Sequence, residues 1–506
     1  MKGEKMELLC SGKQMQEIDR YSIQEMKIPS LVLMERAALA VRDAVLRRWK
    51  PGGRIVAVCG SGNNGADGLA AVRLLSQAGC PAEAILAGSE EHETRECRLQ
   101  REILVNLEIP VHRAAGDAYD KIRGAQILID AVFGVGLSRN VKGTYARMIE
   151  AVNQADGQVV SVDIPSGVSA DTGKVLGCAV NAAETVTFGF RKLGQILYPG
   201  AGCCGKLTVA EIGFAPVPGT LSEELAYTFV TEDLDGLPQR EADSNKGSFG
   251  KTAVFAGCKN MAGAAALCGL SAYRAGAGLV RLVTEEENRM ILQQLVPEAV
   301  MTTLERNRKE RIAEALEWAT VIVLGPGLGR SEEAGEEVRQ VLEYGMKHPE
   351  KPVAADADAL NLLSENPQWR IKGSGNLILT PHPGELSRLL GRSVEKLKED
   401  FPGAVRDCAE KYGAVVVGKD SRTVVSEAEG PVFVNTSGNS AMAKAGSGDV
   451  LCGVIAGLLA RGVPARSAAE YGAYVHGLAG DLWVREHGCQ GMTAMDLSEC
   501  LSRLWF

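Results

Sequence analysis

The sequence predicts an α/β protein made of two successive doubly wound parallel sheets. Short apolar runs alternate with helical stretches, glycine-rich loops follow several of those runs, and the alternation breaks and restarts near residue 225. At ~100–200 residues per domain, 506 residues leave room for two to four domains, each with its own core. Hydrophobic residues make up 45%, charged residues 23%, and there are 58 glycines, which excludes a disordered or collagen-like chain. The net charge of −8, with no basic excess in either half, excludes a general nucleic-acid binder.

The leading stretch, residues 11–50, reads as helical, with apolar positions at Ile18, Leu31, Leu33, Met34, Ala37, Ala38 and Val41. Arg54–Gly60 is the first β-rich run; a glycine loop and an apolar helix over Leu69–Ala78 follow. Further strand-like runs are Ala84–Ala87, Ile127–Phe133, Val159–Ile164 and Thr185–Phe188. A proline- and glycine-containing acidic segment, Phe214–Asp235, interrupts the pattern. Beyond it come Lys251–Gly257, Val280–Val283, Val321–Gly325, Val353–Asp356, Leu377–Thr380 and Val415–Lys419, with Val450–Ala460 as the last helix-forming stretch. The expected domains are 1–225 and 226–506, a fusion without visible self-similarity.

Thirteen cysteines, with no CxxC spacing and one adjacent pair at Cys203–Cys204, read as reduced thiols. The first ten residues lack the apolar stretch of a signal peptide, and no uncharged apolar run approaches the ~18–20 residues of a membrane span. A cytoplasmic protein with no membrane partner is therefore expected.

Gly60, Gly62 and Gly65 satisfy G-x-G-x-x-G between a strand and a helix, the pattern that lays a pyrophosphate on helix N-terminal amides. Glu83 is the sole candidate for the acidic ribose partner, and it precedes the next strand instead of ending it. The loop also carries Asn63, Asn64 and Asp67, suited to a polar ligand or a hard cation. The loops Ala131–Gly143 and Asp163–Gly167 also follow strands. A doubly wound sheet would gather Asn64, Asp67, Asp130, Asp163 and Ser166 at one crevice.

GSGNNGADG, DAVFGVGLSR and DIPSG, together with the leading helices, resemble the NAD(P)H-hydrate epimerase domain over roughly residues 8–215. The resemblance implies a Rossmann-like three-layer α/β domain. It implies that Asn63, Asn64, Gly65, Ala66 and Asp67 contact the damaged nicotinamide nucleotide, as do Gly134, Val135, Gly136, Leu137, Ser138, Arg139 and Asn140. By the same resemblance Asn64, Asp130 and Ser166 help bind K⁺, and Asp163 faces the reacting ring. Ser61 and Ala66 depart from the proline and glycine usual there.

In the second half, Gly446, Ser447 and Gly448 lead into an apolar helix with Asp449 at its start. Bare amides at a helix N-terminus hold an anion, and a carboxylate beside them can take a hydroxyl proton during phosphoryl transfer. Leu324–Gly329, Thr380–Glu385 with His382 between two prolines, Val353–Leu360 with Asp356 and Asp358, and Val415–Thr423 with Lys419 all end strand-like runs. The other five histidines have only surface or core readings. Gly250-Lys251-Thr252 is not a P-loop, because position 245 is Asn.

KGSFGKTAVFAG, RAGAGLV, GPGLG, DADALN, LTPHPGE and GSGD resemble the ADP-dependent NAD(P)H-hydrate dehydratases over roughly residues 235–505. The resemblance implies a ribokinase-like α/β domain in which Ala264, Gly327, His382 and Asp449 contact the hydrate. Lys419, Asp420, Ser421, Arg422 and Thr423 would bind the nucleotide with Asn439, Ala443, Lys444, Ala445, Gly446, Ser447 and Gly448, with Mg²⁺ on its phosphates. Asn245 stands where a histidine is common. Together the halves imply a bifunctional metabolite-repair enzyme acting on NADHX and NADPHX. It would epimerise the R and S hydrates and dehydrate the S form with ADP, giving AMP and phosphate, as a homo-oligomer. A ribokinase-like small-molecule kinase with an accessory nucleotide-binding domain, or a non-catalytic NAD(P) sensor using Gly60–Gly65, remains open on residues alone.

Overall fold

The computed structural model describes residues 6–504 except 370 and 374, so the first five residues of the segment read for a leader lie outside it. The chain divides into two compact units, Leu8–Ala226 and Tyr227 onward. No described helix is long and apolar enough to cross a membrane.

The first unit holds strands β1 (Glu7–Cys10), β2 (Ile55–Cys59), β3 (Ala82–Leu86), β4 (Val111–Arg113), β5 (Ile127–Ala131), β6 (Gln158–Val162), β7 (Glu184–Phe188), β8 (Arg191–Lys192) and β9 (Lys206–Ala210). Seven of them form a parallel sheet in the order β4-β3-β2-β5-β6-β7-β9. The central strands are buried at every position because helices cover both faces, which is why they read as unbroken apolar runs. Ser30–Leu46 and Asn63–Gln77 cover one face; Ala118–Arg123 and Gly143–Gln154 cover the other. The strand order reverses between β2 and β5, and the loops after those strands diverge there to leave a crevice. Off the sheet, β1 runs parallel to β8 with Cys10 opposite Lys192.

The second unit holds β10 (Ala226–Thr228), β11 (Lys251–Phe255), β12 (Leu279–Thr284), β13 (Val300–Thr303), β14 (Val321–Leu324), β15 (Val353–Ala355), β16 (Leu377–Leu379), β17 (Val415–Gly418), β18 (Val424–Ser426) and β19 (Phe433–Val434). Its order is β13-β12-β11-β14-β15-β16-β17-β18-β19-β10. The strands from β13 to β17 are parallel, while β18 is antiparallel to both its neighbours. The parallel core therefore points the loops after β14, β15, β16 and β17 toward one sheet edge. The helix Ser447–Ala460 is buried almost all round beyond Asp449 and packs on Ala262–Arg274, as the apolar run Val450–Ala460 requires.

Two expectations need correction. The helix expected over Leu69–Ala78 starts six residues earlier, at Asn63, because the glycine loop is itself its first turn. Val450–Ala460 is not the last helix: Ala465–His487 and Ala494–Leu501 follow, and glycine-rich, polar-interrupted stretches hid them. Strands such as β4, β9 and β13 are too short or too exposed to carry an apolar pattern.

Candidate active sites

A cavity of about 610 Å³ opens in the first unit where the loops after β2 and β5 part, at the reversal of strand order. Its wall includes Asn63, Asn64, Asp67 and Asp163, together with Gly134, Val135, Gly136, Leu137, Ser138 and Arg139. Three other expected contacts do not line it. Gly65 lies against the Gly60 carbonyl, where any side chain would collide, and Ala66 is fully buried in the core. Asn140 is exposed beside Gly177, because the Val141 N–H is tied to the Leu176 carbonyl at 2.9 Å.

Asp163 takes a positive φ of 64° just after β6, an uncommon conformation for a non-glycine residue and a form of strain often found at functional sites. Its own carbonyl accepts Gln195 Nε2 at 2.5 Å, and its Oδ1 accepts Lys192 Nζ at 2.5 Å, Thr187 Oγ1 at 3.2 Å and the Phe188 N–H at 3.3 Å. Lys192 is completely buried, and its ammonium also reaches Thr187 Oγ1 at 2.8 Å and the Phe188 carbonyl at 3.1 Å. Asp19, from the helix Gly12–Arg20, lines the same cavity. Burial, and then the charges of Asp163 and Asp19, push the Asp67 carboxyl well above the usual range; burial and Asp163 also raise Asp19.

Behind the wall at Phe133, Asp130 and Ser166 are fully buried. Asp130 Oδ2 accepts Ser161 Oγ and the Ser166 N–H, each at 2.8 Å, while Ser166 Oγ accepts the Phe133 N–H at 2.8 Å. Burial raises the Asp130 carboxyl, and its bonds from Ser166 and Ser161 pull it back. The Asn64 side chain packs under Gly134, with its Nδ2 buried and unpartnered.

In the second unit the strand-end loops are tied to one another. The Lys419 N–H reaches the Pro381 carbonyl at 2.8 Å, the Asp356 N–H the Leu324 carbonyl at 3.0 Å, and the Gly329 N–H Asp358 Oδ2 at 2.8 Å. Lys419 Nζ lies 2.6 Å from Asp356 Oδ1, and Asp356 is buried. Both face Gly448, where a Cβ would sit 3.2 Å from Nζ and 3.5 Å from Asp356 Oδ2. Gly446 caps the helix Ser447–Ala460 with φ 91°, a conformation that glycine alone adopts cheaply, and a Cβ there would press on Leu267 and Ala494. The Ser447 N–H has a long bond to the Lys444 carbonyl at 3.4 Å, and the amides of this first turn have no partner inside the helix, the arrangement by which a helix N-terminus holds an anion.

Asp449 is in that same turn. Burial and the nearby Asp356 carboxylate push it up to about 7, against the pull of Lys419. Burial works against the Lys419 charge, and Asp356 and Glu385 more than restore it, so the ammonium is held above its ordinary range. Glu385, buried, is also raised to about 7. His382 caps the helix Pro383–Leu390: its Nδ1 accepts the Gly384 N–H at 3.0 Å, and burial and then Lys419 push its imidazole down, toward the neutral form. Gly327 and Ala264, both expected at the hydrate, meet directly, since a Cβ on Gly327 would lie 2.8 Å from that of Ala264.

Several of the expected nucleotide residues are tied to neighbouring segments. The Thr423 carbonyl accepts the Asn435 N–H at 2.8 Å, Arg422 reaches the Thr436 carbonyl at 3.0 Å, and Asn439 Nδ2 reaches Asp481 Oδ1 at 2.8 Å. Asp420 pairs instead with Lys398 at 3.2 Å. Asn245 is a local cap, with its Oδ1 accepting the Gly247 N–H at 2.8 Å.

Two family models match the chain, one described as NAD(P)H-hydrate dehydratase over residues 252–503 and one as YjeF-related protein N-terminus over residues 30–194. The chain is 38% identical over 500 residues to the bifunctional NAD(P)H-hydrate repair enzyme Nnr of Thermofilum pendens, covering 96% of this chain and 94% of that one. The chain belongs to the bifunctional NAD(P)H-hydrate repair enzyme family. Its Moorella thermoacetica relative of the same name is 35% identical over 511 residues, covering 97% of this chain and 96% of the other. The ADP/ATP-dependent NAD(P)H-hydrate dehydratase of Bacillus subtilis, solved after co-crystallisation with ATP/Mg²⁺, is 32% identical, with a TM-score of 0.47, covering 55% of this chain and 96% of that one.

Within this family frame, four polar residues at the sites escaped the sequence reading: Asp19, Lys192, Glu385 and His476. Glu385 sits in the TPHPGE motif and could have been found there. The other three have no local signature. His476, nine-tenths buried on the helix Ala465–His487, donates Nε2–H to the Ser447 carbonyl at 3.0 Å and so braces the first turn of the helix Ser447–Ala460.

Proposed function

We propose that the chain repairs hydrated NADH and NADPH in two steps: epimerisation of the R and S hydrates in the first unit, and ADP-dependent dehydration of the S hydrate in the second. The observation that carries the second step is Asp449, raised to about 7, in the bare first turn of a helix beside the Lys419–Asp356 pair. A base whose pKa lies near the working pH combines availability with proton affinity.

Asp449 takes the C6 hydroxyl proton as that oxygen attacks the β-phosphoryl of ADP. The bond to the bridging oxygen breaks, and AMP leaves. The amides of Gly446–Gly448 hold the developing charge. Phosphate then departs from C6, pushed by the ring nitrogen, and loss of the C5 proton restores the reduced ring. Atoms balance as hydrate plus ADP going to reduced nucleotide, AMP and phosphate. Neutral His382, with Gly327 and Ala264, borders the place of the hydrate, and the rim from Lys419 to Thr423 with Asn439–Gly448 borders the nucleotide. Mg²⁺ on the phosphates supplies added charge neutralisation, which suits a site where Asp356, Asp358, Glu385 and Asp449 outnumber Lys419.

In the first unit Asp163 moves the proton at the C6 oxygen as water leaves and returns on the other face. Asn63, Asn64 and Asp67 with Gly134–Arg139 border the nucleotide. K⁺ fits behind this wall: Asp130 is a buried carboxylate with no lysine or arginine partner among the described residues. The unpartnered Asn64 amide, turned over, offers its oxygen as well. Asn64, Asp130 and Ser166 would hold the ion, which supplies a fixed positive charge that organises the loops. Thirteen unpaired cysteines support a reducing, cytoplasmic setting.

Only one epimer can aim its hydroxyl at the phosphoryl group, which accounts for an epimerase on the same chain. The test supplies both epimers with Mg²⁺ and either ADP or ATP, and follows the return of reduced-nicotinamide absorbance. Full recovery supports both activities. Recovery that stalls partway rejects the epimerase, and a phosphorylated alcohol accumulating with ATP rejects repair in favour of a small-molecule kinase.

A further inference from the structure

Lys192 has no part in the reaction just described, yet it is completely buried at the cavity wall and its three N–H groups all have acceptors. The acceptor at 2.5 Å is Asp163 Oδ1, which also takes Thr187 Oγ1 and the Phe188 N–H. Three donors on one oxygen leave Oδ2 to face the cavity. A buried ammonium is costly unless its surroundings use it, and an apolar side chain of similar volume would fill the same place without that cost.

The geometry points to Lys192 as a positioning residue for the epimerisation: its ammonium holds Oδ1 of Asp163 so that Oδ2 is aimed at the substrate's C6 oxygen, and it supplies the charge that compensates the buried carboxylate. The inference rests on the reading of the first unit as an epimerase. Lys192 reaches this position only because β8 pairs with β1, which places Cys10 opposite it. The titratable groups facing Asp163 and its lysine are Asp67 on the helix Asn63–Gln77, Asp19 on the helix Gly12–Arg20, and Cys10 on β1, whose thiol burial pushes up to about 12. Lys192 is the cation hydrogen-bonded to Asp163, while Arg139 is a second cation in the cavity wall, so loss of Lys192 leaves Asp163 beside Asp67 and Asp19 without its ion-pair partner.

The test uses the full chain with R hydrate, ADP and Mg²⁺, and follows recovery of the reduced nucleotide, with S hydrate run in parallel. Lys192→Met lowers kcat on the R hydrate about 100-fold with KM within about threefold. Lys192→Arg keeps the charge but misplaces it, and loses about tenfold. In an Asp163→Asn background, Lys192→Met costs nothing further, because the residue acts through Asp163; that double variant also removes the unpaired buried charge that could stop the single variant from folding. The role is overturned by an unchanged kcat in Lys192→Met or Lys192→Arg, by a loss that falls on KM instead of kcat, or by fully additive loss in the double variant. An unaltered chain that consumes S hydrate but never R hydrate defeats the epimerase reading itself, a different result.

Discussion

Lys419 Nζ lies 2.6 Å from Asp356 Oδ1, and the pair is pressed against Gly448 at the start of the helix that carries Asp449. One cation thus pairs with a buried carboxylate and faces the first turn of that helix at once. Lys419→Met leaves Asp356 buried and uncompensated, and the expected loss of stability is about 3 kcal/mol. Lys419→Met combined with Asp356→Asn recovers most of it. Thermal melts of the three variants check this, and an undiminished melting temperature in Lys419→Met contradicts it.

Asp449→Asn keeps the shape of the helix start and removes the base. Dehydration of the S hydrate falls by ~1000-fold or more, while ADP binding measured by calorimetry stays within about threefold. Turnover at the original rate rules out the assigned role.

The carboxyl of Asp449 must be ionised to accept a proton, and burial and Asp356 raise it to about 7. The dehydration rate therefore climbs as pH rises through about 7 and levels off above. Asp356→Asn removes the repulsion from that neighbour, so the limb shifts to lower pH. Stopped-flow or steady-state profiles of kcat against pH decide the matter, with a flat profile from pH 5 to 9 as the failing result.

His476 is pushed down to about 4 by burial, whereas an unfolded histidine titrates near ~6.5. Above ~6.5 it is neutral in both states and contributes no pH dependence. As pH falls from there toward 4, the unfolded chain takes a proton that the folded chain refuses, and stability drops by up to ~1.4 kcal/mol per pH unit. His476→Gln keeps a donor for the Ser447 carbonyl without titrating, so its melting temperature is less sensitive to acid in that window. Parallel acid dependence in the two proteins removes the argument.

The alternation of buried strands and helices, the break near residue 225 and the strand-end motifs proposed to carry the chemistry can all be read from the order of the amino acids. Those are local: continuous apolar runs follow from strands covered on both faces, and glycine before an apolar helix follows from what a helix N-terminus leaves unpaired. The strand-end placement of Gly446–Asp449, Asn63, Asn64, Asp67 and Asp163 was legible for that reason. No local pattern holds the rest: Gly65 and Ala66 pack inward while Asp67 faces the cavity, Lys192 is the buried partner of Asp163, and His476 braces Ser447 from 29 residues away. A two-residue strand and a lone histidine in a long helix have no periodicity of their own. Their burial, charge state and partners arise from chain segments that meet only when the sheet order is complete.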